Sequence, residues 1–406
     1  MGTSPANSTK FFCNGTIITL DSSLPLAEAM LIKGDKIVAV GLYRDLMGLV
    51  NPSTKKIDLA GHVITPGFND SHMHLYNWAM SMSGIDLSNT TSIDEMISLG
   101  RRYAQTNQKR SWIIGRGWSD ENFHHKAMPT RFDLDLISSD RPVIFTRVCG
   151  HICVCNSKAL KIAGITQASQ EPPGGGIYRA IDTGEPNGIL SENAIHLVTK
   201  HIPEPSKVEI KKLLQIAAKK AASLGLTTVQ ANDLEGASAL DSHFRAYKEL
   251  AESQELPIRI NLQGTMGTKR DLANYTKACD SQQSLGNHLQ LGPIKLYADG
   301  SLGGRTAALS YPYHDAPETK GMALYPQNEL DELVLAAAHA NLQVAVHAIG
   351  DEAIDMIISS YERAKSTVPG WSKRPRIIHC QITKPEQLQR MASLGIVADI
   401  QPIFVP

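Results

Sequence analysis

The chain has 406 residues, room for two or three domain-sized units or for one barrel with additions. Lys plus Arg and Asp plus Glu both number 40, so the formal charge is zero, without the concentrated basic excess that a nucleic-acid or anionic-membrane surface needs. No run approaches the roughly 18–20 apolar residues of a membrane span, and the opening MGTSPANSTKFF lacks the apolar core of a signal peptide. The expectation is a cytoplasmic protein acting on a small molecule, with a homodimer allowed for.

Residues 10–62 read as short strands. AMLI-KGDK-IVAV is apolar and alternating on both sides of a Gly34-Asp35 turn, a hairpin pattern. Residues 76–206 follow a different grammar, with the Gly and Pro cluster EPPGGGIYRAIDTGEPNG and the runs SWIIGRGWSDENF and RPVIFTRVCGHICVCNSKAL. They are expected to form an insertion after the first strand of the main domain, covering the mouth of its site. Six cysteines (13, 149, 153, 155, 279 and 380) contain no Cys-x-x-Cys pair and read as reduced thiols; Cys153 and Cys155 have simple strand spacing. Sequons at Asn7, Asn14, Asn89 and Asn274 carry little weight without a secretory signal.

From residue 207 onward helical patterns alternate with short β-rich runs. KVEIKKLLQIAAKKAASLG predicts a helix burying Val208, Leu213, Ile216, Ala217 and Leu224, with Gly225 at its C-terminal cap. LTTVQAND, PIRINLQG, PIKLYADG, LQVAVHAIGD, RPRIIHCQ and GIVADIQP are strand candidates. Strand–helix alternation predicts a parallel sheet covered by helices, doubly wound or closed into a barrel. No G-x-G-x-x-G opens a helix after the first strand, which argues against dinucleotide binding.

The chemistry-bearing residues fall at strand ends. In VITPGFNDSHMHL, His72 and His74 are two apart and project to one face of a strand, with Asp70 beside them. His347 ends LQVAVH and His379 ends RPRIIH. The C-terminal ends of strands are where side chains converge in (β/α) barrels, and neutral imidazole is a common metal ligand. Lys295 interrupts the apolar run PIKLYADG, where a charge is costly unless paired or neutralised, with Asp299 as a candidate partner. Burial lowers a lysine pKa, and an uncharged amine reacts with carbon dioxide to give an anionic carbamate, an oxygen ligand able to bridge two metals.

His72-Met73-His74 after PGFNDS, Lys295, His347 and His379 resemble, in order, the ligands of the first, fourth, fifth and sixth strands of the amidohydrolase superfamily. GWSDENF, GGGIYRA, NGILSENA, IKLYADGSLGGRTAAL and AVHAIGDEAI look like its YtcJ-like branch, which includes N-substituted formamide deformylase. The resemblance covers nearly all of residues 12–406. It implies an α/β fold: a (β/α)8 TIM-type metal-dependent hydrolase barrel over 63–406 and a partial, urease-like β-sandwich over 10–62. It also implies one or two divalent metals, zinc foremost with manganese, iron or nickel also suited, held by His72, His74, Lys295, His347 and His379, with Lys295 carboxylated. His151 and Glu192 resemble family-typical positions in the insertion and are candidate substrate contacts. Arg305, in the Gly300–Gly304 loop, is either a substrate-carboxylate contact or the partner of an acid. Asp70, Asp299 and Asp351 are candidates to orient the ligands, Asp351 also being a helix N-cap.

Against that template the chain reads as seven strands, lacking the eighth strand and its proton-shuttling Asp, so no catalytic acid–base residue is assigned; Asp399, inside the seventh strand, substitutes poorly. The expected function is hydrolysis of non-peptide carbon–nitrogen bonds of the amide type through metal-activated water, with activity in doubt if the barrel is truncated. Two rivals stand beside it. A single-metal deaminase usually wants Glu three residues after the fifth-strand His, where this chain has Gly350. A truncated, non-catalytic binding or scaffold protein is the other.

Overall fold

The computed structural model describes residues 8–172, 175–280 and 286–402. The Asn7 sequon and positions 173–174 of the Gly and Pro cluster lie outside the described residues. The chain divides into two compact units, Met1–Asp70 with Leu224–Thr228, and Ser71–Ser223 with Val229–Pro406.

In the first unit the alternating pattern forms its hairpin: Ala29–Lys33 pairs antiparallel with Lys36–Gly41, and Gly34 turns with φ +62°, a conformation open to glycine at little cost. Thr9–Cys13 lies beside Ala29–Lys33 and runs parallel to Lys55–Asp58, giving a four-stranded sheet. Thr16–Ile18, Leu26–Ala27 and Val63–Ile64 form a separate three-stranded sheet. Phe11, Ala29, Leu31 and Leu46 make one small core and Ile17, Ala27 and Met30 another.

The larger sheet has seven strands among the described residues: β1 (Phe68–Met73), β2 (Leu226–Glu235), β3 (Arg259–Thr265), β4 (Leu289–Tyr297), β5 (Val344–Ala348), β6 (Arg376–His379) and β7 (Val397–Asp399), in that spatial order. Registers are parallel from β3 through β7. Helix α1 (Leu75–Ser83) follows β1, α2 (Lys207–Ser223) precedes β2, and α3 (Gly236–Glu252), α4 (Lys269–Asp280), α5 (Gln327–His339), α6 (Asp351–Thr367) and α7 (Pro385–Leu394) connect the later strands. The sheet curls until strands near its two edges meet: Arg376 on β6 donates to the Ser71 carbonyl on β1 at 2.6 Å and to Gln230 on β2. Among the described residues this is a nearly closed TIM-type barrel of seven strands. Among the described residues, no helix is long and apolar enough to cross a membrane.

Two expectations about local structure need correction. Helix α2 buries Ile210, Leu213, Leu214, Ala217, Ala218 and Ala221, whereas Val208 is 79% and Ile216 45% exposed, and Leu224, just past the helix end, is 56% exposed. The buried set follows i, i+3, i+4 and i+7 from Ile210, so the apolar stripe lies rotated from the one predicted. Asp351 is not the N-cap of α6; Gly350 is, and the Asp351 carboxylate instead holds the Ser310 backbone N–H and hydroxyl and Lys384 Nζ.

Between α1 and α2 the chain builds a sheet of its own, ordered Gly175–Arg179, Pro186–Glu192, Ile152–Cys155, Val143–Arg147, Ile113–Trp118 and Ile85–Asp86. Both faces are apolar: Leu87, Ile113, Trp118 and Phe145 pack on one side, and Ile144, Cys153, Cys155 and Leu190 on the other. Cys153 and Cys155 are fully buried, with sulfurs 3.9 Å apart.

Candidate metal centre at the strand ends

The alternation of each barrel strand sends every second side chain inward. His72 is the penultimate residue of β1 and His74 follows the strand directly; His347 is penultimate on β5 and His379 closes β6. The four rings pack edge to face: centroids are 5.3 Å apart for His72–His74, 5.5 Å for His72–His379 and 4.6 Å for His347–His379. Strands far apart in sequence are thus brought to one point. The rings touch without converging on a common centre, and no three His, Cys, Asp or Glu among the described residues stand in chelating geometry.

Hydrogen bonds set the tautomers of two rings. His347 Nε2 faces the Gly300 carbonyl at 2.9 Å, so it carries the proton and Nδ1 keeps the lone pair. His379 Nδ1 faces Gln401 Oε1 at 2.7 Å, which leaves the lone pair on Nε2. His379 also holds φ +75°, a left-handed backbone that a residue with a Cβ adopts at a cost, at the position where its ring meets two others. All four imidazoles are uncharged at neutral pH. Burial pushes each below the usual histidine range, the nearby Lys295 adds to the effect, and His347 falls to about 4.

Lys295 lies on β4, fully buried, with no hydrogen-bond partner for Nζ, which sits 4.8 Å over the Tyr297 ring. Burial, and then the Arg376 guanidinium, bring its pKa down to about 7. His74 Nδ1 is likewise buried without a hydrogen-bond partner, 3.9 Å from Glu235 Oε1. The expected pairing of Lys295 with Asp299 is not made. The Asp299 carboxylate accepts the backbone N–H groups of Ala308, Ile349 and Gly350 at 2.8–3.0 Å and stands 3.4 Å from His347 Nε2. Burial raises its pKa against those hydrogen bonds.

The other candidates lie apart from this cluster or serve other groups. Asp70 is half-buried on β1, while the Asp351 carboxylate serves Ser310 and Lys384. His151 and Glu192 form an exposed pair at 2.9 Å in the inserted sheet, and Glu192 has φ +49°. Arg305, of the two alternatives open to it, pairs with Asp315 at 2.5 Å. Asp399 is buried against Arg376 at 2.5 Å.

Three residues that matter here escaped sequence reasoning. Arg376 is buried beneath the histidines, in RPRIIH; a cation in an apolar strand run is the same signal that exposed Lys295. Asp233 is buried on β2, accepting from the Tyr76 backbone N–H and the Tyr247 hydroxyl. Glu235 ends β2 beside His74. Asp233 closes the strand run LTTVQAND and Glu235 follows two residues on, and no local pattern set either apart.

A nearly closed (β/α) barrel with half-buried histidines and a buried lysine gathered at its strand ends is the scaffold of a hydrolase. The chain belongs to the amidohydrolase family, whose model matches residues 55–406. It is 33% identical to the putative amidohydrolase YtcJ of Bacillus subtilis over 96% of this chain and 72% of that protein. It is 26% identical to the N-substituted formamide deformylase of Arthrobacter pascens, over 94% of this chain and 71% of that one. An uncharacterised metal-dependent hydrolase from Pyrococcus furiosus aligns with a TM-score of 0.75 at 28% identity, over 98% of this chain and 77% of that one.

Proposed function

We propose that the chain is a metal-dependent hydrolase of carbon–nitrogen bonds of the amide, non-peptide type. The observation that carries this reading is the meeting of four uncharged histidines with a buried amine that has no hydrogen-bond partner. An orphaned Nζ in a sealed interior is costly as it stands, and lone-pair nitrogens around it are the donor set a divalent ion takes. By the chemistry of its donors, neutral imidazoles beside an orphaned amine, the cluster suits such an ion, although the rings as placed do not converge on one centre. His72, His74, His347 and His379 would hold one or two, with zinc the first candidate. Lys295 would join them after its uncharged amine adds to carbon dioxide: the nitrogen lone pair forms an N–C bond, one C=O π pair moves onto oxygen to give the anionic carbamate, and the amine proton leaves to solvent. A divalent ion supplies Lewis acidity, which acidifies water toward pKa ~7 and polarises a carbonyl.

The chain's own residues do the positioning. Gly300 O and Gln401 fix which nitrogen of His347 and His379 carries the lone pair, and Asp299, itself held by three backbone N–H groups, steadies His347. Asp399 is engaged by Arg376 and is not assigned the proton-transfer role. The related deformylase and the archaeal metal-dependent hydrolase support the bond type and the metal. The single-metal deaminase gains nothing, because Gly350, three residues after His347, offers only its backbone N–H, to Asp299 at 2.8 Å.

The test is elemental analysis of the purified protein beside turnover of a panel of N-substituted formamides and simple amides. Metal content of one to two ions per chain is expected, with His72→Ala losing metal and turnover together. Undiminished turnover in a metal-free His72→Ala protein would overturn the reading.

A further inference from the structure

Glu235 is the last residue of β2, at the end of the strand where barrel chemistry is placed. Its side chain is 57% exposed, and one carboxylate oxygen stands 3.9 Å from His74 Nδ1. Behind it runs a directed chain of hydrogen bonds from three strands. The Thr265 hydroxyl on β3 donates to Asn232 Oδ1 at 3.2 Å, and Asn232 Nδ2 donates to the Tyr297 oxygen at 2.8 Å. Tyr297, thus supplied as an acceptor, lies in electrostatic contact with Glu235. Asn232 is only 1% exposed. A carboxylate that merely meets solvent needs no such buried support, and a satisfied polar network of this kind fixes geometry at the expense of desolvation. The same tyrosine ring lies 5.5 Å from the His347 ring and beneath Lys295, which ties the carboxylate's position to the histidine cluster.

An ionised carboxylate only accepts, through about four lone-pair positions. His74 Nδ1, at 3.9 Å, is beyond hydrogen-bond range of them. We infer that Glu235 is a specificity-determining residue that accepts a hydrogen bond from a substrate N–H, selecting primary and secondary amides or ureas over N,N-disubstituted ones. The inference rests on the amide-hydrolase reading above. It follows from charge and direction: a fixed anion beside the candidate ligands repels a carboxylate, offers nothing to a group without a donor, and binds an N–H through a charge-assisted bond.

The experiment compares N-butylformamide with N-butyl-N-methylformamide on the metal-loaded protein. The quantity read is the ratio of their kcat/KM values, so intrinsic reactivity cancels between variants. The wild type is expected to favour the N–H substrate, and Glu235→Ala to shrink that preference at least ten-fold. Glu235→Gln, which keeps an acceptor oxygen for the substrate, is expected to restore part of it. A ratio unchanged in Glu235→Ala overturns the inference, as does loss of metal in Glu235→Gln, which would make Glu235 a ligand. If the wild type turns over neither formamide, the hydrolase reading fails separately. Calorimetric binding of butylurea against N-butyl-N,N′,N′-trimethylurea then still decides the role of Glu235: a preference for butylurea lost in Glu235→Ala supports it, and equal affinities overturn it.

Discussion

Lys295 shows how much chemistry one residue discloses. An ammonium group in an apolar strand is expensive, so its appearance in PIKLYADG marks either a paired ion or a group with another purpose. The structure supplies no hydrogen-bond partner for Nζ, which leaves the second. Lys295→Met keeps the length and removes the polar atom. It is expected to stabilise the metal-free protein by about 1–3 kcal/mol while abolishing metal uptake, readable by urea unfolding and elemental analysis. Asp233 gives a pH signature. Burial raises its pKa to about 7 in the folded chain from an ordinary 3.8 when unfolded, against the donors Tyr247 and Tyr76. A raised folded pKa means that the contribution to stability is complete below about pH 4 and is lost as pH climbs through 7. Wild-type stability should therefore fall over that interval relative to Asp233→Asn, which cannot ionise. Parallel urea midpoints from pH 4 to 8 that never diverge would remove the assignment.

At the scale of elements, periodicity placed the strands and helices well and the helix faces less well. All six strand runs from LTTVQAND to GIVADIQP form strands, because their apolar runs are short, rich in β-branched residues and bounded by turns or helical patterns. Helix α2 shows the limit. Apolar residues lie around much of its circumference, and only packing decided that Leu214 is buried and Val208 exposed. Leu214→Ala should cost about 2–5 kcal/mol, and Val208→Ala should stay within about 0.5 kcal/mol of wild type. Thermal unfolding of the two variants checks this directly, and similar losses would mean that the helix face is misplaced.

For the whole barrel, the tie across the interior is Arg376. It joins β6 to Asp399 on β7, Gln230 on β2 and the Ser71 carbonyl on β1, all from a side chain 4% exposed. Removing one member of a buried ion pair leaves the other uncompensated, so Arg376→Met should lose about 3–5 kcal/mol. The double variant Arg376→Met/Asp399→Leu should recover much of that loss. A double-mutant cycle that shows simple additivity would deny the coupling.

The sequence by itself determined the strand–helix alternation, the positions of His72, His74, His347 and His379 at strand ends, and the anomaly of Lys295. These are local properties, written in periodicity and in the cost of misplaced charge. Only the tertiary structure decided that the four rings meet, that Asp299 serves His347 rather than Lys295, that Arg305 turns to Asp315, and that Glu235 stands beside His74. The reason is physical. A strand dictates which face a side chain takes, but its partner comes from another strand scores of residues away, and only the closing curl of the sheet brings the two within a few ångströms.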